Sequence, residues 1–257
     1  MPGFLKAMAR NPRLLFGQSN LFLLSHMRAN TSLFGHVLGS HPEIEGYYEM
    51  HIGYYSWRSL WRQKLLYFAD HEAKPRSHIM FDKLLHNYCV LAPQLLARPT
   101  STVIMMLRAP GRSIQSIASL YRNKEPDHPH ADPVNAAQYY VERLGELQRM
   151  APQLAGSFYY LDAESLVDTP DQALAGLSRW LQLATPLSSE YQVFENTGKH
   201  QCGDSSEAIR SGKIVRSRNS YDEIQVPEQP LQQAERAYRQ CRDEMLRLCA
   251  NRGDQPG

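Results

Sequence analysis

The sequence predicts a single α/β domain in which helices cover both faces of a central parallel sheet. Three observations carry that expectation. Short apolar runs of strand length alternate with helical patterns from residue 21 to residue 183. The strongest of these runs, Thr102–Leu107 (TVIMML), is apolar at every position after its first, as a strand buried on both faces must be. The chain has 257 residues, 42% hydrophobic and 21% charged, which suffices for a real core and is unlike a disordered chain. One domain over 1–257 is expected, with an N-terminal arm over 1–20 and a loop-rich region plus closing helix over 185–257.

Each element follows from its local pattern. Leu21–Leu24 is too short for a helix and ends in a polar turn, so it reads as a buried strand. Thr31–Gly39 sets Leu33, Phe34, Val37 and Leu38 at helical spacing and stops at Gly-Ser-His-Pro. Ile44–Tyr48 is a second short strand, and Tyr54–Ala69 has the period of an amphipathic helix. His78–Phe81 is the third strand and Val90–Leu96 a short helix. Thr102–Leu107 lies between Pro99 and Ala-Pro-Gly, and a helix follows over Ser113–Tyr121. A polar loop rich in His and Pro, Asn123–Pro133, precedes a long helix over Asn135–Met150. Phe158–Leu161 is the last strand, with helices over Pro170–Leu183 and Leu231–Cys249.

Composition excludes several function classes. Lys plus Arg number 28 against 26 Asp plus Glu, and a net charge of +2 gives no electrostatic case for a nucleic-acid partner. No apolar run approaches the roughly 18 residues of a membrane span. The first residues have no long apolar core and no clear cleavage site, a poor secretory signal. Cys89, Cys202, Cys241 and Cys249 form no C-x-x-C pair, which argues against a zinc site or a disulfide scaffold and for a reducing cytoplasm.

In parallel sheets ligands gather at the carboxyl ends of the strands, so chemistry is sought after Leu24, Tyr48, Phe81, Leu107 and Leu161. After the first strand comes Ser25-His26-Met27-Arg28-Ala29-Asn30-Thr31-Ser32, and then a helix. A helix N-terminus favours an anion, and Arg28, Thr31 and Ser32 add a charge and hydroxyls. The plainer alternative is an ordinary helix cap with Arg28 at the surface. Neither GxxxxGK(S/T) nor GxGxxG occurs, which disfavours a nucleoside-triphosphatase loop and a dinucleotide site. After the Thr102–Leu107 strand, Arg108 leads into a helix carrying Ser113 and Ser116, a second anion cradle. Two cradles fit a ligand with two separate phosphate-type groups.

With these segments in place, the chain resembles the bacterial type of sulfotransferase that uses 3′-phosphoadenosine 5′-phosphosulfate (PAPS). The family's first loop, P-(K/R)-S-G-T-(S/T), corresponds to Met27–Ser32, and its later Arg with a Ser eight residues on corresponds to Arg108 and Ser116. Asp82-Lys83-Leu84-Leu85-His86-Asn87 resembles the family's Lys-and-His segment. Phe158–Leu183 resembles its strand, E-x-L-x-x-x-P and helix, and Lys199–Asp204 resembles its late basic loop. The resemblance spans roughly 21–204. It implies a P-loop-like sulfotransferase fold and transfer of a sulfuryl group to an alcohol, phenol or sugar hydroxyl on a small molecule, glycan or lipid. The product is PAP, the desulfonated nucleotide, and no metal is required. It also implies cofactor contacts from Arg28, Ala29, Asn30, Thr31, Ser32, Arg108, Ser116 and Lys199. The sequence departs from the pattern where the loop Pro, Ser and Gly become Met27, Ala29 and Asn30, although Asn tolerates a left-handed backbone. Ala163 stands where the resemblance leads one to expect an adenine-stacking Tyr.

For the reacting centre, Lys83 suits the bridging oxygen of the leaving phosphate and His86, with its near-neutral ordinary pKa, suits the acceptor proton. Glu49 is the rival base; its plainer role is a surface pair with Arg58 or Arg62. His128 and His130 read as a lid on the acceptor side or as a solvated loop. The rival functions are a kinase-like nucleotide-dependent transferase and a noncatalytic nucleotide- or partner-binding protein.

Overall fold

The apolar runs become five strands in a computed structural model that describes residues 2–15, 18–195, 197, 207–216 and 220–251. They are β1 (Ser19–Leu24), β2 (Ile44–Glu45), β3 (Ile79–Leu84), β4 (Ser101–Leu107) and β5 (Phe158–Asp162). They pair in the order β2-β3-β1-β4-β5, and every pair is parallel. Period-two alternation then divides the core. Phe22, Leu24, Val103, Met105, Leu107, Phe158 and Tyr160 point to one face, while Leu21, Leu23, Ile104, Met106, Tyr159 and Leu161 point to the other.

The helices connect and cover these strands. They are α1 (Pro2–Arg10), α2 (Thr31–Ser40), α3 (Trp57–Asp70), α4 (Pro93–Leu96), α5 (Pro110–Lys124), α6 (Pro133–Met150), α7 (Ser165–Asp168), α8 (Pro170–Trp180), α9 (Glu207–Arg210) and α10 (Glu228–Leu248). The first core face is closed by α5, α6 and α10, which pack on one another, and the second by α2 and α8. Among the described residues no helix is long and apolar enough to cross a membrane. The domain is α/β with helices on both faces of one parallel sheet, as the alternation predicts.

Several boundaries differ from the sequence expectation, each for a physical reason. The N-terminal arm is not featureless: α1 and a 3-10 turn over Pro12–Leu14 precede β1, and α1 packs on α3. The second strand stops at Glu45 because Gly46 turns at φ 95°, and a Cβ there would lie 2.3 Å from the Phe81 carbonyl. β3 runs on to Leu84, so Asp82 and Lys83 lie inside a strand rather than beyond it; the ladder with β1 continues to Leu24 opposite Leu84. The expected helix over Val90–Leu96 shrinks to four residues, since Leu91 bridges to Tyr54 instead.

The ends of β1, β3 and β4 are held by one helix. Arg143 of α6 is buried and donates to the carbonyls of Ser25 at 2.9 Å and Leu84 at 2.7 Å and to Asn87 Oδ1 at 3.0 Å. Tyr139 receives the Met27 N–H at 2.9 Å and donates to the Leu85 carbonyl at 2.8 Å. Tyr140 donates to the carbonyl of Arg108. Replacing Arg143 by Met leaves the buried Ser25 carbonyl without its donor and the Leu84 carbonyl with only the Ser25 N–H at 3.3 Å, so we expect a loss of about 1–3 kcal/mol of stability. Urea unfolding measures it. Arg143→Lys should recover little, because an ammonium cannot reproduce a planar fork on three acceptors; an Arg143→Met protein as stable as the parent would dismiss this role.

Candidate active site

The loop after β1 turns sharply into α2. Arg28 and Asn30 both adopt left-handed backbone, at φ 63° and 56°. Asn accepts that conformation at little cost, and its side-chain amide donates to the Ala163 carbonyl at 3.0 Å. An arginine there stores strain of about 1–2 kcal/mol, and strain of this kind gathers where the chain is shaped for a ligand. Thr31 and Ser32 open the first turn of α2, whose N–H groups face the same space. Ala29 turns into the core and is fully buried, so its methyl does not line the cleft.

The Arg108 segment meets this loop because β1 and β4 are neighbours in the sheet. Arg108 Nη1 donates to the Arg28 carbonyl at 2.8 Å. Arg28 Nε donates to Ser116 Oγ at 2.8 Å, and Ser116 in turn bonds Tyr221 at 3.1 Å. The two cradles read from the sequence are therefore joined: Arg28 reaches into the second. Arg28 and Arg108 line a cleft of about 460 Å³ with Asn30, Thr31, Ser32, Arg112 and Tyr221, while Ser116 is buried and is not among its described lining residues. Two acidic side chains limit its positive charge. Glu164 accepts the Ala109 N–H at 3.1 Å, and Asp168 pairs with Arg216 at 2.7 Å. Ala163 is buried and lends only its carbonyl, whereas Tyr221 is the aromatic ring among the described lining residues. Lys199 lies outside the described residues, as does the Lys199–Asp204 loop.

His26 locks the two loops together. Burial draws its pKa down to about 3, so the ring is neutral. Its Nε2 accepts the Arg108 N–H at 3.0 Å, which leaves the proton on Nδ1 to donate to the Met27 carbonyl at 2.8 Å. The ring also packs edge-on against Tyr140, 4.6 Å between centroids.

The second half of the site lies at the end of β3. Strand alternation sends Asp82 to one face, where it accepts from Tyr54 at 2.5 Å and from the Met50 N–H at 3.0 Å, and sends Lys83 to the other. Lys83 is buried and reaches Ser32 Oγ at 3.5 Å, beside the phosphate-type cradle. Burial raises Asp82 to about 7. Glu49 turns inward rather than toward Arg58 or Arg62: its Oε1 lies 4.0 Å from His86 Nε2 and 3.8 Å from His51 Nδ1. Burial raises the Glu49 pKa against the opposing pull of Lys83, and Oε1 has no hydrogen-bond partner among the described residues. His86 stacks on Tyr88 at 4.9 Å, and burial, reinforced by His51 and Arg143, lowers its pKa to about 4. The near-neutral titration that its residue type predicts is therefore displaced by its surroundings. His128 stacks on Tyr121 at 3.9 Å and His130 lies against Tyr139, so this loop packs back on the wall of the site.

The arrangement offers an anion cradle of arginines and helix-start groups, a buried lysine at its edge, and next to it a neutral imidazole facing a carboxyl group. Its cavity size and donor set fit a nucleotide with phosphate groups at two positions. Sequence reasoning missed His26, Tyr139, Tyr140 and Arg143, which hold the segments after β1, β3 and β4 in place. His26 stood in the polar turn after the first strand, a signal that passed unread.

No family model matches the chain, and no curated protein matches it in sequence. Solved structures do. The chain is similar to the sulfotransferase domain from the curacin biosynthetic pathway, with a TM-score of 0.52 and 17% identity over 87% of this chain and 97% of that one. It is also similar to the sulfotransferase domain from the Synechococcus PCC 7002 olefin synthase, with a TM-score of 0.51 and 10% identity over 87% and 95%. These likenesses show that the chain has the sulfotransferase fold.

Replacing His26 by Phe keeps a ring against Tyr140 but removes the acceptor of the Arg108 N–H. A cost of about 1–3 kcal/mol is expected in chemical denaturation. Unchanged stability would show that the two loops are joined by other means.

Proposed function

We propose that this chain, on its sulfotransferase fold, transfers a sulfuryl group from PAPS to a hydroxyl acceptor on a small molecule, a glycan or a lipid. The observation that supports it most is the joining of the β1 and β4 loops into one arginine-lined cleft, with Lys83 at its edge. Arg28, the backbone of Ala29 and Asn30, and the hydroxyls of Thr31 and Ser32 would hold the phosphosulfate end. Arg108 and Ser116 would hold the 3′-phosphate, with Arg28 serving both through its bond to Ser116. When bound, the nucleotide supplies a sulfuryl group on a phosphate leaving group. Lys83 places positive charge beside Ser32, where charge on the leaving phosphate is best countered. His86, neutral in its buried setting, takes the acceptor's proton, with the Glu49 carboxyl beside its ring, Oε1 4.0 Å from Nε2.

The nucleotide reading predicts that adenosine 3′,5′-bisphosphate binds about 10- to 150-fold more tightly than adenosine 5′-monophosphate, the worth of one charge-assisted pair. Calorimetry that gave equal affinities would overturn it, as would phosphoryl transfer from ATP without a 3′-phosphate requirement. Arg108→Ala should erase most of the difference.

The base assignment predicts that His86→Ala lowers kcat about 10²- to 10⁴-fold while donor binding persists. The sign of the pH dependence follows from the depressed pKa. His86 is neutral and competent above about 4 and is lost as pH falls through that value, so the acid limb of kcat lies near 4 rather than at 6–7. Near-normal turnover in His86→Ala with none in Glu49→Gln would transfer the role to Glu49. Loss in both would make the pair one unit.

A further inference from the structure

At the opposite edge of the sheet from the arginine-lined cleft, a second cavity of about 340 Å³ opens between the start of β1, the segment before β4 and the first half of α3. Alternation along β1 puts Asn20 on the face of Phe22 and Leu24, where the strand pattern calls for an apolar side chain. Gln18, two residues earlier, lines the cavity with it. Gln18 is 8% exposed and Asn20 4%, and Gln18 Oε1, Gln18 Nε2 and Asn20 Oδ1 have no hydrogen-bond partner among the described residues. Buried amides are almost always paired, so such a group asks what completes it.

The facing wall is built for a ligand with a ring. Trp57, Leu60, Trp61 and Lys64 form one stripe of α3 along the cavity. Lys64 Nζ donates to the Leu14 carbonyl at 2.7 Å and sits 4.6 Å from the centroid of the Trp61 ring. Arg98 stands exposed at the rim, beside Thr100. The cavity thus combines two indoles, amide groups that both donate and accept, and two cations.

We propose that this cavity binds an acidic monosaccharide unit of the hexuronate kind. Sugar hydroxyls both donate and accept, so they can satisfy Asn20 Oδ1, Gln18 Oε1 and Gln18 Nε2 together. A carboxylate alone brings no proton to the two amide oxygens, a phosphate at neutral pH brings fewer than two, and an acyl chain satisfies none of the three atoms. The apolar face of a pyranose ring packs on Trp57 and Trp61, and the carboxylate meets the fork of Arg98 with Lys64 behind it. The site shares no residue with the proposed transfer centre and does not depend on that reading.

Calorimetric titration of the full chain with D-glucuronate, D-glucose and methyl β-D-glucuronide tests it. Glucuronate should bind saturably, with a Kd in the range of about 0.1–10 mM, and glucose more weakly. Trp57 and Arg98 are exposed and can be replaced without disturbing the core. Trp57→Ala should weaken glucuronate at least about fivefold, and Arg98→Ala should bring it down to the affinity of glucose. Gln18→Leu should abolish binding. Arg108→Ala, which alters only the arginine-lined cleft, should leave it unchanged. Retained binding of the methyl glycoside supports a chain-terminal sugar as ligand, and its loss supports the free sugar. The proposal fails if no saturable heat appears up to about 100 mM glucuronate. It fails equally if Trp57→Ala and Arg98→Ala bind like the parent, or if Arg108→Ala removes the signal.

Discussion

The site depends on one buried guanidinium. At the carboxyl edge of a parallel sheet the strands end while their last carbonyls still need donors. Arg143 supplies three N–H bonds from a single planar fork, to Ser25 and Leu84 at the ends of β1 and β3 and to Asn87 beyond. Its hydrogen-bond acceptors are neutral, and burial lowers its pKa against the weaker opposing pull of Tyr139, Glu146 and Glu49. Tyr139 and Tyr140, on the same helix, extend the hold to the Met27, Leu85 and Arg108 backbone. Through this helix face the β1, β3 and β4 loops share one frame.

From that frame follow two environments with opposite electrostatic tasks. The cleft after β1 and β4 gathers Arg28, Arg108 and Arg112 around a strained turn and a helix start, which favours an anion. A few residues away, at the end of β3, burial dominates: it raises Asp82 and Glu49 and lowers His86. Arg143 and His51 add to the depression of His86, so the residues that position the site also keep its imidazole neutral. Lys83 stands between the two environments, bonded to Ser32 on one side and opposing the rise of Glu49 on the other.

The sequence by itself determined the class of fold and where on it to look. Apolar runs at strand length, alternating with helical spacing, leave little choice but a parallel sheet covered on both faces, and such a sheet concentrates ligand groups at its carboxyl edge. Arg28, Asn30, Arg108, Lys83, Glu49 and His86 were all legible there, because each lies within a few residues of a strand end. Tertiary structure decided how they combine. That Arg28 bonds Ser116, that Glu49 faces His86 rather than an arginine of α3, and that β3 carries Lys83 inward follow from strand order and register, which no local pattern encodes. Tyr139, Tyr140 and Arg143 were invisible for the same reason: in a long amphipathic helix they look like ordinary residues, and their worth comes from carbonyls 32 to 118 positions away in the chain. Local periodicity fixes which face is buried; only the packed chain fixes which polar group each buried polar group must meet.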